Sequence, residues 1–228
     1  PLRSPLAREI VVAQSNGMAR WLAPRLADRL GICANLNFLF PSTFLWEMSR
    51  AVLRQLPPIS AFEKPVLAWR VMTLLGNLED APCFAAPRAW LGNGGDDFRR
   101  YELACRIADC FDQYLVYRPD WIARWEEGEG LSQELAGVSG QDWQPELWRE
   151  LVARTLALSP SGYHRANLYE AFIHELERTR DLPGRLPQRV FVFGISALPP
   201  RYVEALLALG SRPEVEVHLF VTNPCRYY

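Results

Sequence analysis

Lysine is nearly absent. The 228-residue chain has one, Lys64, among 25 basic residues, and it stands between Glu63 and Pro65. That scarcity excludes a phosphate-binding loop of the usual kind, which carries several glycines and closes on a Lys followed by Ser or Thr. Histidine is scarce too, three in all. The five cysteines (Cys33, Cys83, Cys105, Cys110 and Cys225) are scattered, with no C-x-x-C pair. An odd number without ligand spacing argues against a zinc site and a disulfide framework, and for reduced thiols in the cytoplasm. No signal peptide and no apolar run of bilayer length occurs, so no membrane partner is expected. Charge of one sign is also missing. A net charge of −1 excludes a broad basic surface, so any nucleic-acid contact has to come from a local site. The chain starts on Pro1 rather than Met, which leads us to expect a fragment with a segment upstream.

What is present is ordinary for a globular protein: 49% hydrophobic and 22% charged residues, enough for one or two domains with a core. The chain is organised around Arg8 to Leu22. Ile10-Val11-Val12 reads as a buried parallel strand. Gly17 permits a sharp turn. Met18, Leu22, Leu26 and Leu30 then recur at helical spacing until Gly31 stops the helix. A strand, glycine loop and helix at this place in an α/β protein is where phosphate sits, because the helix amides point at it. Here the loop has the position of a nucleotide cradle without its chemistry.

The remainder reads as follows. Ile32 to Phe40 is extended. A helix from Phe44 to Leu56 is opened by Pro41-Ser42-Thr43, with Ser42 or Thr43 as its cap, and is ended by Pro57-Pro58. Helices are expected at Lys64 to Leu78, Asp96 to Val116, around Trp121 and Trp125, at Gln144 to Leu158 and at Asn167 to Arg180. Residues 80–95 read as a loop with a short helical piece, and 126–140 as a flexible, Gly-rich segment. Strand character returns at Arg189 to Ile195. A helix with Tyr202, Leu206 and Leu209 follows, then a strand at Val215 to Val221. The fold class is therefore α/β: a mostly parallel sheet built from both ends of the chain, with right-handed crossovers and a large helical insertion. The expected domains are residues 1–43 with 183–228, and the insertion 44–182.

Superfamily 1 helicases are built this way, with a RecA-like, P-loop-type sheet domain interrupted by a helical subdomain. The chain resembles the RecC family, the gamma chains of exodeoxyribonuclease V. The resemblance rests on Gln14-Ser15-x-Gly17-Met18-Ala19-x-Trp21-Leu22, on Phe111 to Trp121, on His164-Arg165-Ala166-Asn167-Leu168-Tyr169, on Gly194 to Pro200 and on Thr222 to Tyr228, and it covers nearly the whole chain. It implies a non-catalytic, helicase-like part of a RecBCD-type machine. Such a part would hold RecB-like and RecD-like motor subunits, line the tunnel for the 3′-ended single strand and recognise the Chi hotspot during double-strand break repair. The residues agree: the Walker A position holds Ser15-Asn16-Gly17-Met18-Ala19-Arg20, and Gly194-Ile195-Ser196 stands where a helicase needs Asp-Glu. No ATPase activity and no cofactor are therefore expected.

Carried over by position, the resemblance implies DNA contacts from Gln14, Asn16, Arg20, Phe40, Trp46, Asp109, Cys110, Asp112, Arg118 and Arg165. Gln can hydrogen-bond exposed base edges, and aromatic rings can stack on unpaired bases. Asn16, Arg20, Phe40 and Cys110 depart from the Thr, Gln, Leu and Leu usual in the family, and an Arg favours guanine or phosphate. Each residue also has a plainer role open to it. Asn16 can satisfy amides at a helix start, Phe40 and Trp46 can pack in a core, and the Asp and Arg residues can form a structural network. Asp109 and Asp112 share a helix face, but no further ligands cluster beside them, so no metal is expected. Two other readings stay open: an active superfamily 1 ATPase fragment, and a purely structural docking domain for a motor subunit.

Overall fold

The computed structural model describes residues 7–54, 56–78, 81–92, 96–130, 140–159 and 161–221. The motif Thr222 to Tyr228 and the middle of the Gly-rich segment, 131–139, lie outside the described residues. The chain divides into two compact units, Pro1–Arg54 with Tyr169–Tyr228, and Gln55–Leu168.

The first unit is built on four parallel strands in the order β2-β1-β3-β4: β1 (Glu9–Ala13), β2 (Leu36–Leu39), β3 (Arg189–Phe193) and β4 (Glu216–Phe220). Apolar runs form these strands because both faces of a parallel sheet are meant to be covered. On one face Ile10, Val12, Val190 and Val192 are buried. They lie beneath α2 (Pro41–Val52) and α9 (Pro200–Gly210), and α8 (Arg165–Arg178) begins in the other unit. Tyr169 meets Tyr202 at 5.3 Å, joining α8 to α9. Arg212 donates to the carbonyls of Leu176, Thr179 and Arg180, which satisfies the open end of α8. The return toward β3 is pinned where the Gly184 amide donates to the Ala51 carbonyl at 2.8 Å. A Cβ on Gly184 would stand 2.7 Å from the Ala51 α-carbon, so only glycine fits there. The opposite face of the sheet carries α1 (Asn16–Leu30).

Both limits of α2 differ from the sequence expectation. α2 begins at Pro41, with Phe40 at its cap position and no side-chain cap; neither Ser42 nor Thr43 serves. Proline's fixed φ and missing N–H suit the first helical position, so Pro41 itself opens the helix. α2 also ends at Val52 rather than Leu56, because Leu53 turns extended (φ −92°, ψ 136°) and buries its own side chain.

The second unit is helical: α3 (Lys64–Leu75), a 3-10 turn at Pro82–Phe84, α4 (Ala85–Leu91), α5 (Asp97–Tyr117), α6 (Pro119–Glu126) and α7 (Trp143–Leu158). α3 is shorter than the expected Lys64 to Leu78. Asp96 caps α5 by accepting from the Phe98 amide. The core is aromatic. Phe111 meets Trp148 at 5.3 Å and Trp125 at 6.4 Å, and Tyr114 meets Trp121 at 5.4 Å. Edge-on geometries of this kind suit ring quadrupoles. One buried polar set spans α6, α7 and the residue before α8. Glu126 Oε1 accepts from Trp148 Nε1 at 3.0 Å and lies 2.8 Å from Nε2 of the buried His164.

Two tryptophans make the test of this core. Trp148 is fully buried and Trp69 is 61% exposed. Trp148→Ala is expected to cost about 3–5 kcal/mol of unfolding free energy. Trp69→Ala is expected to stay within about 0.5 kcal/mol. Urea unfolding followed by circular dichroism reads both.

Candidate nucleic-acid interface

In the sheet unit, the chain runs from β1 through α1 to β2 on one side, and then to β3 and β4 on the other. Right-handed crossovers therefore place α1 on one face and the later helices on the opposite one. The loops after β1 and β3 flank the point where the winding reverses, which is where open α/β sheets place their ligands. Gln14 follows β1 directly and is exposed. The Ser15 side chain accepts from the Met18 amide at 3.2 Å and so caps α1. Capping thus falls to Ser15, which leaves Asn16 and Arg20 as exposed positions in the first two turns of α1. The register Val12↔Leu39 brings Phe40 to the same carboxyl-terminal edge as Gln14. Phe40 is 42% exposed, so it is not the core residue its apolar surroundings allow. Trp46, one turn into α2, is half-buried.

The loop after β3 is close-packed against this edge. Gly194 has φ +64°, and a Cβ there would stand 3.1 Å from Cε of Met18. The Met18 side chain therefore lies against Gly194. No acidic residue follows β3 directly, where Gly194-Ile195-Ser196 continues the chain. The one lysine, Lys64, belongs to the helical unit. Its Nζ lies 2.5 Å from Asp109 Oδ1, and that hydrogen bond and charge push the ammonium pKa up.

In the helical unit, Asp109, Cys110 and Asp112 lie on α5. Asp112 Oδ1 accepts from Arg165 Nη1 at 2.7 Å, with both side chains about three-quarters buried, and Arg165 Nη2 lies 4.0 Å from Glu63 Oε2. Lys64, Asp109, Asp112, Arg165 and Glu63 thus form one ionic cluster. Lys64 and Glu63 were not among the expected site residues, although their place at the start of α3 beside a Pro was a visible helix-start signal. Arg118 stands outside that cluster. It grips Asp120 with Nε at 3.1 Å and Nη2 at 2.9 Å, and its guanidinium lies 3.7 Å over the Trp121 ring. The paired guanidinium holds the Asp120 carboxyl below the usual carboxylate range. Among the described residues, no three His, Cys, Asp or Glu side chains converge as a metal site needs. No helix among them is long and apolar enough to cross a membrane.

Chemically, the two groups differ. Gln14, Asn16 and Arg20 offer exposed donors and acceptors at a helix start. The α5 carboxylates have cationic partners, whose guanidinium or ammonium has to be released or shared for a ligand to be bound there.

The whole chain, residues 1–228, matches the family model described as RecC, N-terminal domain. It is 46% identical over 230 residues to the RecBCD enzyme subunit RecC of Escherichia coli K12, covering 100% of this chain and 20% of that protein. It is 38% identical over 245 residues to the subunit of the same name from Haemophilus influenzae, covering 100% of this chain and 22% of that protein. With the Mycolicibacterium smegmatis subunit it shares 31% identity, covering 98% of this chain and 19% of that protein. The chain spans about a fifth of the length of these relatives.

Cys110 provides a test of the electrostatics on α5. Partial burial first, and then the Asp109 charge, push its thiol pKa up. The thiolate is the reactive form, so a raised pKa means slower alkylation at neutral pH despite an exposed position. Site-resolved mass spectrometry with iodoacetamide is expected to show the Cys110 rate still climbing at a pH where a free cysteine peptide has levelled off. Asp109→Asn moves the profile toward lower pH.

Proposed function

The chain belongs to the RecC N-terminal domain family, and from that membership we propose that it is the helicase-like, non-catalytic first part of a RecBCD-type subunit. In this reading the sheet unit corresponds to a RecA-like domain 1A and the helical unit to a 1B subdomain. The part works in the cytoplasm, beside RecB-like and RecD-like motor subunits, in the repair of double-strand breaks by recombination. It lines the path of the 3′-ended single strand and reads the Chi hotspot on it.

The observation that carries this reading is the exposed edge after β1. A loop in the position of a nucleotide cradle presents Gln14, Asn16 and Arg20, with no lysine in the first turns of α1. Amide side chains both donate and accept, which suits unpaired base edges. Arg20 favours guanine or phosphate, and the exposed ring of Phe40 suits stacking on a base. In the helical unit, Asp109 and Asp112 accept from base amino groups, Cys110 makes van der Waals contact, and Arg118 and Arg165 meet phosphates or hold the carboxylates. Trp46 supports the same strand from α2. Met18 packed on Gly194, with no acidic pair after β3, supports the absence of ATP chemistry.

In the intact three-subunit enzyme, Gln14→Ala or Asp112→Ala is expected to reduce the response to the hotspot far more than the rate of unwinding. Equal loss of both, or of neither, counts against the reader role. Arg20→Gln is expected to change which hotspot sequence a selection recovers. The purified chain is expected to show no DNA-stimulated ATP turnover, and measurable turnover would favour an active ATPase instead.

A further inference from the structure

The α1 face of the sheet is half covered. Helices packed on a sheet lie about 10 Å apart. Strands lie about 4.8 Å apart, so one helix serves two strands. α1 joins β1 to β2 and serves that pair. Over β3 and β4 on the same face, a run of aromatic side chains stands open. Phe193 stacks on Trp21 at 6.5 Å and meets Phe220 at 6.1 Å, while Phe191 meets Phe220 at 6.3 Å and His218 at 5.0 Å. Trp21 is 52% and Phe220 49% exposed. α1 itself has no buried residue, although Leu22, Leu26 and Leu30 lie along one stripe. A surface helix normally hides such a stripe. Together Leu22, Leu26, Leu30, Phe191, Phe193 and Phe220 line an apolar groove of about 370 Å³.

We infer that this groove is the seat of an amphipathic helix supplied by the rest of a RecC-length polypeptide. That helix lies beside α1 over β3 and β4. Three observations identify the occupant. The groove lies beside an existing helix, on a sheet of the all-parallel kind that is buried on both faces. The relatives are about five times longer than this chain, so most of such a polypeptide lies outside residues 1–228. The rim also has a chemical signature. Glu216 and the Glu9–Arg189 ion pair lie at the amino ends of the strands on this face. A connecting helix on a parallel sheet runs antiparallel to the strands, so its carboxyl end lies over the exposed Glu216 side chain. Lys or Arg in its last turn completes the match. Handedness adds a constraint. A crossover leading outward from β4 packs on the α9 face, so the seated helix comes from a connection that returns across the sheet or from a more distant segment. This inference goes beyond the DNA-reading role and does not depend on it.

The test uses the full-length polypeptide, alone and in the assembled enzyme. Phe220→Cys and Phe193→Cys place probes in the groove on β4 and β3. With the seat filled, both thiols react with a maleimide roughly tenfold or more slowly than a free cysteine peptide, because labelling waits for local opening. Protection is present in the lone polypeptide and unchanged by dilution. A photo-crosslinking amino acid at Phe220 captures a peptide of the same polypeptide from beyond residue 228. Labelling as fast as the free cysteine peptide in the lone polypeptide overturns the inference. So does protection that appears only with the motor subunits, protection lost on dilution, or a crosslink to another chain. Phe193→Cys and the crosslink keep the test valid if Phe220→Cys misfolds.

Discussion

Everything at the candidate interface depends on the hand of the crossovers. Once β1, α1 and β2 wind one way and β3, α9 and β4 the other, the ends of β1 and β3 must lie side by side with no helix between them. Gln14, Gly194 and, through the β1–β2 register, Phe40 reach one edge for that reason alone. The amides at the start of α1 point the same way. In an ATPase this geometry holds phosphate. In this chain Ser15 takes one amide and Met18 packs against the loop after β3. The edge keeps that geometry, with Gln14, Asn16 and Arg20 as its exposed side chains.

The helical unit is organised by a different principle. Its aromatic core is held in register by a few buried polar contacts, of which Glu126 with Trp148 and His164 is the most enclosed. Removing one member of such a set leaves the others without partners at depth, which costs more than the bond itself contributes. The ionic cluster of Lys64, Asp109, Asp112, Arg165 and Glu63 lies nearer the surface. Its ion pairs add little to stability and more to the orientation of the carboxylates. His164 is fixed in the core and the next residue, Arg165, reaches Asp112, so the start of α8 ties the aromatic core to the charged surface.

Much of the architecture was legible in the sequence because periodicity reports burial. The runs Ile10-Val11-Val12 and Val190-Phe191-Val192 announced central strands, and Met18 to Leu30 announced α1. The limits of α2 were not legible. Pro41 competes with Ser42 and Thr43 for the helix start, and Leu53 leaves the helix for a tertiary contact that no local pattern records. For the candidate site, the absence of a Gly-Lys-Thr run after β1 and of an acidic pair after β3 could be read residue by residue. The partners could not. Lys64 meets Asp109 only because α3 and α5 pack together, and Arg118 turns to Asp120 and Trp121 rather than to α5 because its neighbours are within reach. The capping role of Ser15 and the resulting freedom of Asn16 likewise depend on one backbone turn.

The pairing of β1 with β3 joins Ile10 to Val190. During synthesis, β1, α1 and β2 leave the ribosome long before their central partner exists. At about 5–20 residues per second the delay is roughly 10–40 s. The helical unit, contiguous from Gln55 to Leu168, is complete within that interval and folds on local contacts. The amino-terminal strands meanwhile present unpaired edges and apolar faces. Residues 7–54 are therefore the stretch of this chain most dependent on chaperone protection at the ribosome.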